Sequence, residues 1–247
     1  MSKVVRYAEW RNAPPAVFPD FEDMDAHRAR DICRKAVAER GDGWLLTEEV
    51  REVLKAFKLP QPAGGVAKSA DEAARLATSV GYPVAVKLDS VKLVHKTEIG
   101  GVLLNLKSEE AVRKAFDSIK SRVEATGQKN AMNGVLVQPM VSGGVEVMVG
   151  VTEDPLFGPL IAFGLGGIYV EILKDVNFRI TPLSATDARD MVKSIKGYRL
   201  LQGYRGHSPA DVDALEELLL RTSTLVEDIP EIKELDMNPV FALEPGK

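Results

Sequence analysis

The apolar positions of this chain change their period along its length. From Asp25 to Glu39 they recur with helical spacing, and Gly41-Asp42-Gly43 ends the run. A second helix is predicted over about 47–58, with Thr47 as the expected N-cap and Val50, Leu54 and Phe57 as its apolar stripe. Leu59-Pro60-Gln61-Pro62 closes it. Beyond that point short strand-like runs alternate with helical ones. Gly65-Val66-Ala67, Val84-Ala85-Val86-Lys87-Leu88 and Val102-Leu103-Leu104-Asn105-Leu106 read as strands, as do the runs from Gly134 to Gln138, Val145 to Val151 and Leu160 to Phe163. Ser69 and Ser108 are expected to cap helices that run to Val80 and to about Val123. Helices return at about 185–196 and 209–227, and a last strand runs from Glu234 to Ala242. No repeat with a period of 20–50 residues is present. This mixture predicts an α+β fold of two α/β lobes, with a ligand cleft between the lobes. Before it, residues 1–24 read as an arm, because Pro14, Pro15 and Pro19 break any helix. Phe18 and Phe21 are placed to pin that arm onto a neighbour.

Composition narrows the class. With 247 residues, 45% hydrophobic and 28% charged, the chain is long enough and apolar enough to bury a core. A net charge of −4 and a pI near 5.6 argue against nucleic acid as a partner, since no excess of cations is available to neutralise phosphates. The single cysteine, Cys33, excludes an intrachain disulfide framework. No apolar run approaches the about 18 residues of a membrane span, and the N-terminal residues lack a signal peptide's apolar stretch. The expected location is the cytoplasm.

Several polar residues interrupt apolar runs. Lys87 lies in a strand whose Val84, Val86 and Leu88 face one side, so the amine faces the other with Ala85. It is either a snorkelling lysine or a compact cation for a phosphate. Asp236 and Asn238 are two apart in Glu234-Leu235-Asp236-Met237-Asn238-Pro239. On a strand they share a face at about 7 Å, a spacing that suits Mg²⁺, and Glu234 adds a third oxygen donor. The plain alternative is a strand end leading into an Asn-Pro turn. His95 lies in a polar loop between two strands, ahead of Gly100 and Gly101. An imidazole near its reference pKa of about 6.5 is mostly neutral at pH 7 and able to attack phosphorus, although a lone loop histidine is commonly a solvated one. His27 and His207 have no such setting. Gly164-Leu165-Gly166-Gly167 follows a strand and either cradles phosphate or simply turns the chain; Tyr169 breaks a Gly-x-Gly-x-x-Gly pattern. Glu171, Asp175 and Arg179 bring charge into an apolar stretch, with Arg179 a candidate phosphate clamp or a surface ion pair. Glu146, between Val145 and Val147, either accepts ribose hydroxyls or forms the polar face of its strand.

Taken in order, these segments resemble the ATP-grasp part of the nucleoside-diphosphate-forming acyl-CoA synthetases. Gly81 to Lys87 looks like that family's lysine strand, Val94 to Val102 its histidine loop, and Val137-Gln138-Pro139-Met140-Val141 with Gly144 to Val147 its adenine hinge and following strand. Gly164 to Gly167, Arg179 to Leu183 and Glu234 to Pro239 match the glycine stretch, its basic follow-on and the metal motif. The resemblance runs from about residue 25 to the last residue. It implies an ATP-grasp domain over 25–247, with a lid-like lobe at about 65–135 and a larger lobe of 25–64 plus 136–247. It implies ATP or ADP with Mg²⁺ as ligands. His95 would carry a phosphoryl group, and Lys87, Gln138, Met140, Glu146, Gly166, Gly167 and Arg179 would hold the nucleotide. Asp236 and Asn238 would hold the metal. It further implies a CoA-binding α subunit or domain that bears its own phosphohistidine and selects the acyl group. Val5 to Trp10 and Arg11 resemble the joint of fused members, so the chain is expected to be a β subunit of an α2β2 assembly or half of a fused chain. Three other readings stand beside this one: a non-catalytic sensing domain of a protein acetyltransferase, a different ATP-grasp ligase, and a structural subunit with a vestigial site. Retention of His95 favours the synthetase.

Overall fold

The computed structural model describes residues 15–93, 96–167, 175–204 and 208–247. They divide into two compact units, one of residues 23–143 and the other of residues up to 22 together with those from 144 onward.

In the first unit, helices α1 (Ala26–Arg40) and α2 (Thr47–Ala56) precede β1 (Gly65–Ala67), α3 (Ala70–Val80), β2 (Val84–Asp89), β3 (Val102–Leu106), α4 (Glu109–Ala125), a 3₁₀ turn (Lys129–Ala131) and β4 (Gly134–Pro139). The caps are the side chains the sequence nominates in two cases. Ser69 Oγ accepts the Glu72 N–H and Ser108 Oγ the Ala111 N–H, both at 3.2 Å. Thr47 is different. Leu46 is the N-cap of α2, with its N–H held by the Glu49 carboxylate at 2.8 Å, while the Thr47 hydroxyl donates to Asp89. Asp89 is buried, and a desolvated carboxylate needs a donor more than an accessible helix N–H needs an acceptor. That bond, with the Val66 N–H donating to Glu48 at 3.1 Å, fastens α2 to the sheet. Residues 25–64 thus pack with 65–143, whereas the lobe limits expected from the sequence set them apart.

The described strands of this unit form an antiparallel sheet in the order β1-β4-β2-β3. Helices α3 and α4 cover one face, packing Ala73, Ala77, Val112, Ile119 and Phe116 on Val84, Val86, Leu88, Val135 and Val137.

The second unit contains β5 (Val145–Asp154), β6 (Gly158–Leu165), β7 (Val176–Ile180), α5 (Ala185–Ser194), α6 (Tyr198–Leu201), α7 (Val212–Asp228) and β8 (Glu234–Ala242). Its antiparallel sheet runs β7-β6-β5-β8. Val147, Val149, Val151, Ile161, Phe163 and Leu165 are buried toward α5 and α7, which bring Met191, Leu219 and Leu225. Strand β7 and helix α6 are not foreseen from the sequence. Of the arm, Val17 accepts the Ala185 N–H at 2.9 Å, and the Phe21 ring lies 4.3 Å beneath the Arg221 guanidinium. Phe18 stays exposed. No described helix is long and apolar enough to cross a membrane.

Candidate functional site

In the first unit the candidate residues gather on the sheet face turned away from α3 and α4. Period-2 alternation puts Val84, Val86 and Leu88 into the core and leaves Ala85, Lys87 and Asp89 on the opposite side. The ladder pairs Ala85 with Gln138 and Lys87 with Leu136, so the lysine and the glutamine share that face as diagonal neighbours. The Lys87 amine is half-buried. Desolvation holds it below the ordinary lysine range, and the Lys96 ammonium pushes in the same direction. Such a charge calls for an anion. Met140 commits its N–H to the Pro83 carbonyl at 2.9 Å, which fixes the end of β4 against the start of β2. His95 lies outside the described residues. The turn that follows it is well tied: the Gly101 N–H donates to the Lys96 carbonyl at 2.7 Å, and the Leu88 N–H to the Gly101 carbonyl at 2.6 Å.

In the second unit the face away from the helices carries the other set. Gly150 pairs with Asp236 on one side and Ala162 on the other, so these three share a row. The row is open, because a Cβ placed on Gly150 would find its first neighbours only at 3.7 Å. Partial desolvation lifts the Asp236 carboxyl above the ordinary aspartate range even though the residue remains open to solvent. It has no ion-pair partner among the described residues. Beyond Met237 the β5–β8 ladder shifts register, so Asn238 stands in a bulge rather than in a regular pair. Glu234 shares the Asp236 face, yet no group of three or more His, Cys, Asp or Glu converges on one point among the described residues. This donor set, one desolvated carboxylate and a carboxamide two positions on, fits Mg²⁺, which takes few protein oxygens and completes its shell with phosphate and water.

Glu146 pairs with Phe241 and lies on the same face as Asp236. Gly166 donates its N–H to the Glu146 carbonyl at 2.8 Å, and Gly167, in the left-handed region with φ 59°, lies against the Glu146 carboxylate. A side chain at 167 would overlap that carboxylate. Arg179 is not brought to this group. It pairs with Ile161, whose side chain is buried toward the helices, and its guanidinium bonds the Phe178 carbonyl at 2.9 Å. Glu171 and His207 lie outside the described residues. Two participants were missed from the sequence. Lys96 adjoins His95 in the chain, and its charge next to a glycine turn is the signal in the sequence. Asp175, which reads as a charged surface position in the sequence, is buried and accepts the Lys196 and Gly197 N–H groups at 2.8 and 2.7 Å, latching the start of β7 to the α5–α6 turn.

Comparison with known proteins adds an independent line. Residues 36–246 match the ATP-grasp domain family. The chain is 46% identical over 212 residues to the β subunit of an ADP-forming acetate–CoA ligase (II) of Pyrococcus furiosus, which covers 85% of this chain and 90% of that subunit. It superposes on the dinucleotide-forming acetyl-coenzyme A synthetase 1 of Ca. Korarchaeum cryptofilum in complex with coenzyme A, Ca-AMPCP and HgCl⁺, with a TM-score of 0.83, 42% identity, and coverage of 88% of this chain and 95% of that one. A second structure of that enzyme holds coenzyme A and Mg-AMPPCP, with its phosphohistidine segment pointing towards the nucleotide binding site; it matches at TM-score 0.73 and 37% identity over 87% of this chain and 93% of that one. Of two further curated relatives, the ADP-forming 4-hydroxybutyrate–CoA ligase of Nitrosopumilus maritimus and the ADP-forming acetate–CoA ligase I of Archaeoglobus fulgidus, the chain spans only 35% and 33% of the length.

Proposed function

Because this chain belongs to the ATP-grasp family, in its branch of ADP-forming acyl-CoA synthetase β parts, we propose that it moves a phosphoryl group between a histidine relay and ADP or ATP. The observation that carries the proposal is Lys87, a half-buried, desolvated ammonium with no ion-pair partner among the described residues, on the same sheet face as Gln138. A desolvated cation there calls for an anion, and none of the described residues pairs with it.

Lys87 holds phosphate oxygens, and Gln138 with the Met140 segment borders the base. Glu146 accepts ribose hydroxyls, while Gly166 and Gly167 let the backbone come close to the ligand. Asp236 and Asn238 hold Mg²⁺, which when bound neutralises charge on the phosphates. His95 attacks the terminal phosphorus. An N–P bond forms as the P–O bond to ADP breaks, and the reverse step makes ATP. Arg179 joins this set only by turning round the β7 edge. A CoA-binding α part with its own phosphohistidine converts acyl-CoA and phosphate into acid, CoA and the phosphoryl group that His95 receives, as an α2β2 assembly or a fused chain in the cytoplasm.

The test mixes the chain with a CoA-binding subunit, acetyl-CoA, phosphate and Mg·ADP. Expected is ATP formation that needs both proteins, with labelled phosphoryl on this chain that His95→Ala abolishes. Label persisting in His95→Ala, or ATP formed without the partner, overturns the relay.

A further inference from the structure

A second lysine stands beside the first, and the chemistry above does not use it. Lys96 is half-buried, directly after His95 in the chain. Backbone bonds fix where it sits. Gly101 reaches back to the Lys96 carbonyl, its own carbonyl is held by Leu88, and the next residue, Val102, is the cross-strand partner of Lys87. The turn therefore sets Lys96 at the end of the β2–β3 ladder where Lys87 stands. There is no slack in this arrangement: a Cβ at Gly101 would lie 2.9 Å from the Lys96 oxygen and 3.1 Å from the Leu88 Cβ. From α4, the Arg122 guanidinium donates to the carbonyl of Gly100, which occupies the left-handed region at φ 64°. The Gly100 N–H in turn bonds the Thr97 carbonyl at 3.0 Å. The turn is thus tied to β2 on one side and to α4 on the other.

The Lys96 charge is felt at Lys87, where after desolvation it adds to holding the amine below the ordinary lysine range. Neither has an ion-pair partner among the described residues. The nearby Asp89 carboxylate accepts the Thr47 hydroxyl through one oxygen and forms no ion pair with either lysine among the described residues. With no acid paired to either lysine among the described residues, the two cations gain most from a ligand carrying more than one negative charge at that point.

We propose that Lys96 is a second phosphate ligand, acting with Lys87 on the terminal phosphoryl group of the nucleotide. The inference rests on the nucleotide reading of the Lys87 face. It makes Lys96 the residue that distinguishes a triphosphate from a diphosphate, since it adjoins the nucleophile that the terminal group must meet.

The experiment is calorimetry on the whole chain with Mg·ADP and with Mg·AMPPCP, whose terminal phosphoryl group cannot be transferred. Lys96→Gln is expected to weaken Mg·AMPPCP about tenfold and to leave Mg·ADP within about twofold, a loss of one charge-assisted hydrogen bond. Lys96→Arg restores Mg·AMPPCP binding to within about threefold, because the charge and the donors return. Thermal unfolding of each variant reports on the fold. Equal affinities in Lys96→Gln and wild type overturn the inference, as does an equal loss for both nucleotides. A wild-type chain that binds neither nucleotide removes the proposed function along with it. Failure of His95 to become phosphorylated, with binding intact, overturns the relay alone.

Discussion

Replacing Lys87 by Met should make the empty protein more stable and the liganded protein less so. Met keeps the unbranched stem that packs along the sheet but removes a half-buried charge and its repulsion with Lys96. Because the amine is still partly hydrated, the gain is limited to the range of accessible charge pairs, up to about 1 kcal/mol. That corresponds to a rise of about 2–4 °C in Tm for a chain of this size. The pH dependence has a fixed sign. The folded-state value of this lysine lies below its unfolded value of about 10.4, so the unfolded chain binds more protons and stability rises with pH in between. The advantage of Met is full at neutral pH, shrinks as pH rises through the depressed value, and is gone above about 10.4. Nucleotide binding moves the other way. Loss of one charge-assisted bond to phosphate costs about 1.5–3 kcal/mol, or about 10–150-fold in Kd. At Mg·ADP equal to 100 times the wild-type Kd, the ligand stabilises wild type by about 2.7 kcal/mol; a variant weakened about 100-fold gains only about 0.4 kcal/mol. Differential scanning fluorimetry with and without Mg·ADP should therefore show the two Tm values changing order when the ligand is added. A Met variant that melts below wild type without ligand, or that keeps its ligand-induced shift, refutes the reasoning: Lys87 would then be a snorkelling residue of the strand.

Three further outcomes follow from single contacts. Asp175→Ala orphans two backbone N–H groups in a site where the carboxylate is 4% exposed, and should cost about 3 kcal/mol or more in urea denaturation; a loss under about 1 kcal/mol would mean that water replaces the latch. Asp236 has its folded-state value above its unfolded value of about 3.9, so ionising it costs stability as pH rises between the two. Asp236→Asn should accordingly be at least as stable as wild type at pH 7 without metal, yet lose the tightening of ADP binding by Mg²⁺. In wild type that tightening should fade as pH falls through the raised value, and a metal response retained by Asn would exclude Asp236 as a ligand. Gly167→Ala meets both a left-handed backbone and the Glu146 carboxylate, so it should cost about 1–2 kcal/mol in thermal or urea unfolding and lower nucleotide affinity in calorimetry; wild-type values for both would show that the loop simply shifts.

What the sequence made legible was mostly local. Ser69 and Ser108 cap the helices they precede because an accessible helix start has no better partner than its own hydroxyl. The same logic failed at Thr47, where a buried acid 42 positions away in the chain competes for the hydroxyl, and no local pattern reveals that competition. Strand β7 was missed for a related reason. Val176-Asn177-Phe178-Arg179-Ile180 does alternate, but its phase is inverted: Phe178 and Ile180 are exposed, while Asn177 turns inward to bond Ser194 at 2.9 Å. An edge strand whose polar side faces a helix looks like a loop until the helix is in place. Asp175 belongs with it, since a carboxylate that caps residues 21 and 22 positions ahead cannot be told from a solvated one by composition.

The candidate site was legible where motif and register agree. In each unit one sheet face is packed by helices, and alternation sends every residue of a strand to one face or the other. Lys87 and Gln138 fall on the side of the first sheet that α3 and α4 do not cover, as do Asp236 and Glu146 on the side of the second away from its helices, although these residues come from different strands. Arg179 shows the limit of motif order as evidence. Its neighbours in the chain match the basic follow-on of the glycine stretch, but its pairing with Ile161 assigns it to the helix side. A shift of one residue in the β6–β7 ladder would reverse that assignment and bring the guanidinium to the Asp236 face. The affinity of Arg179→Met for Mg·ADP therefore tests the register itself: a loss comparable to that of Lys87→Met requires the arginine to reach round the edge strand, and an unchanged Kd leaves it holding the Phe178 carbonyl.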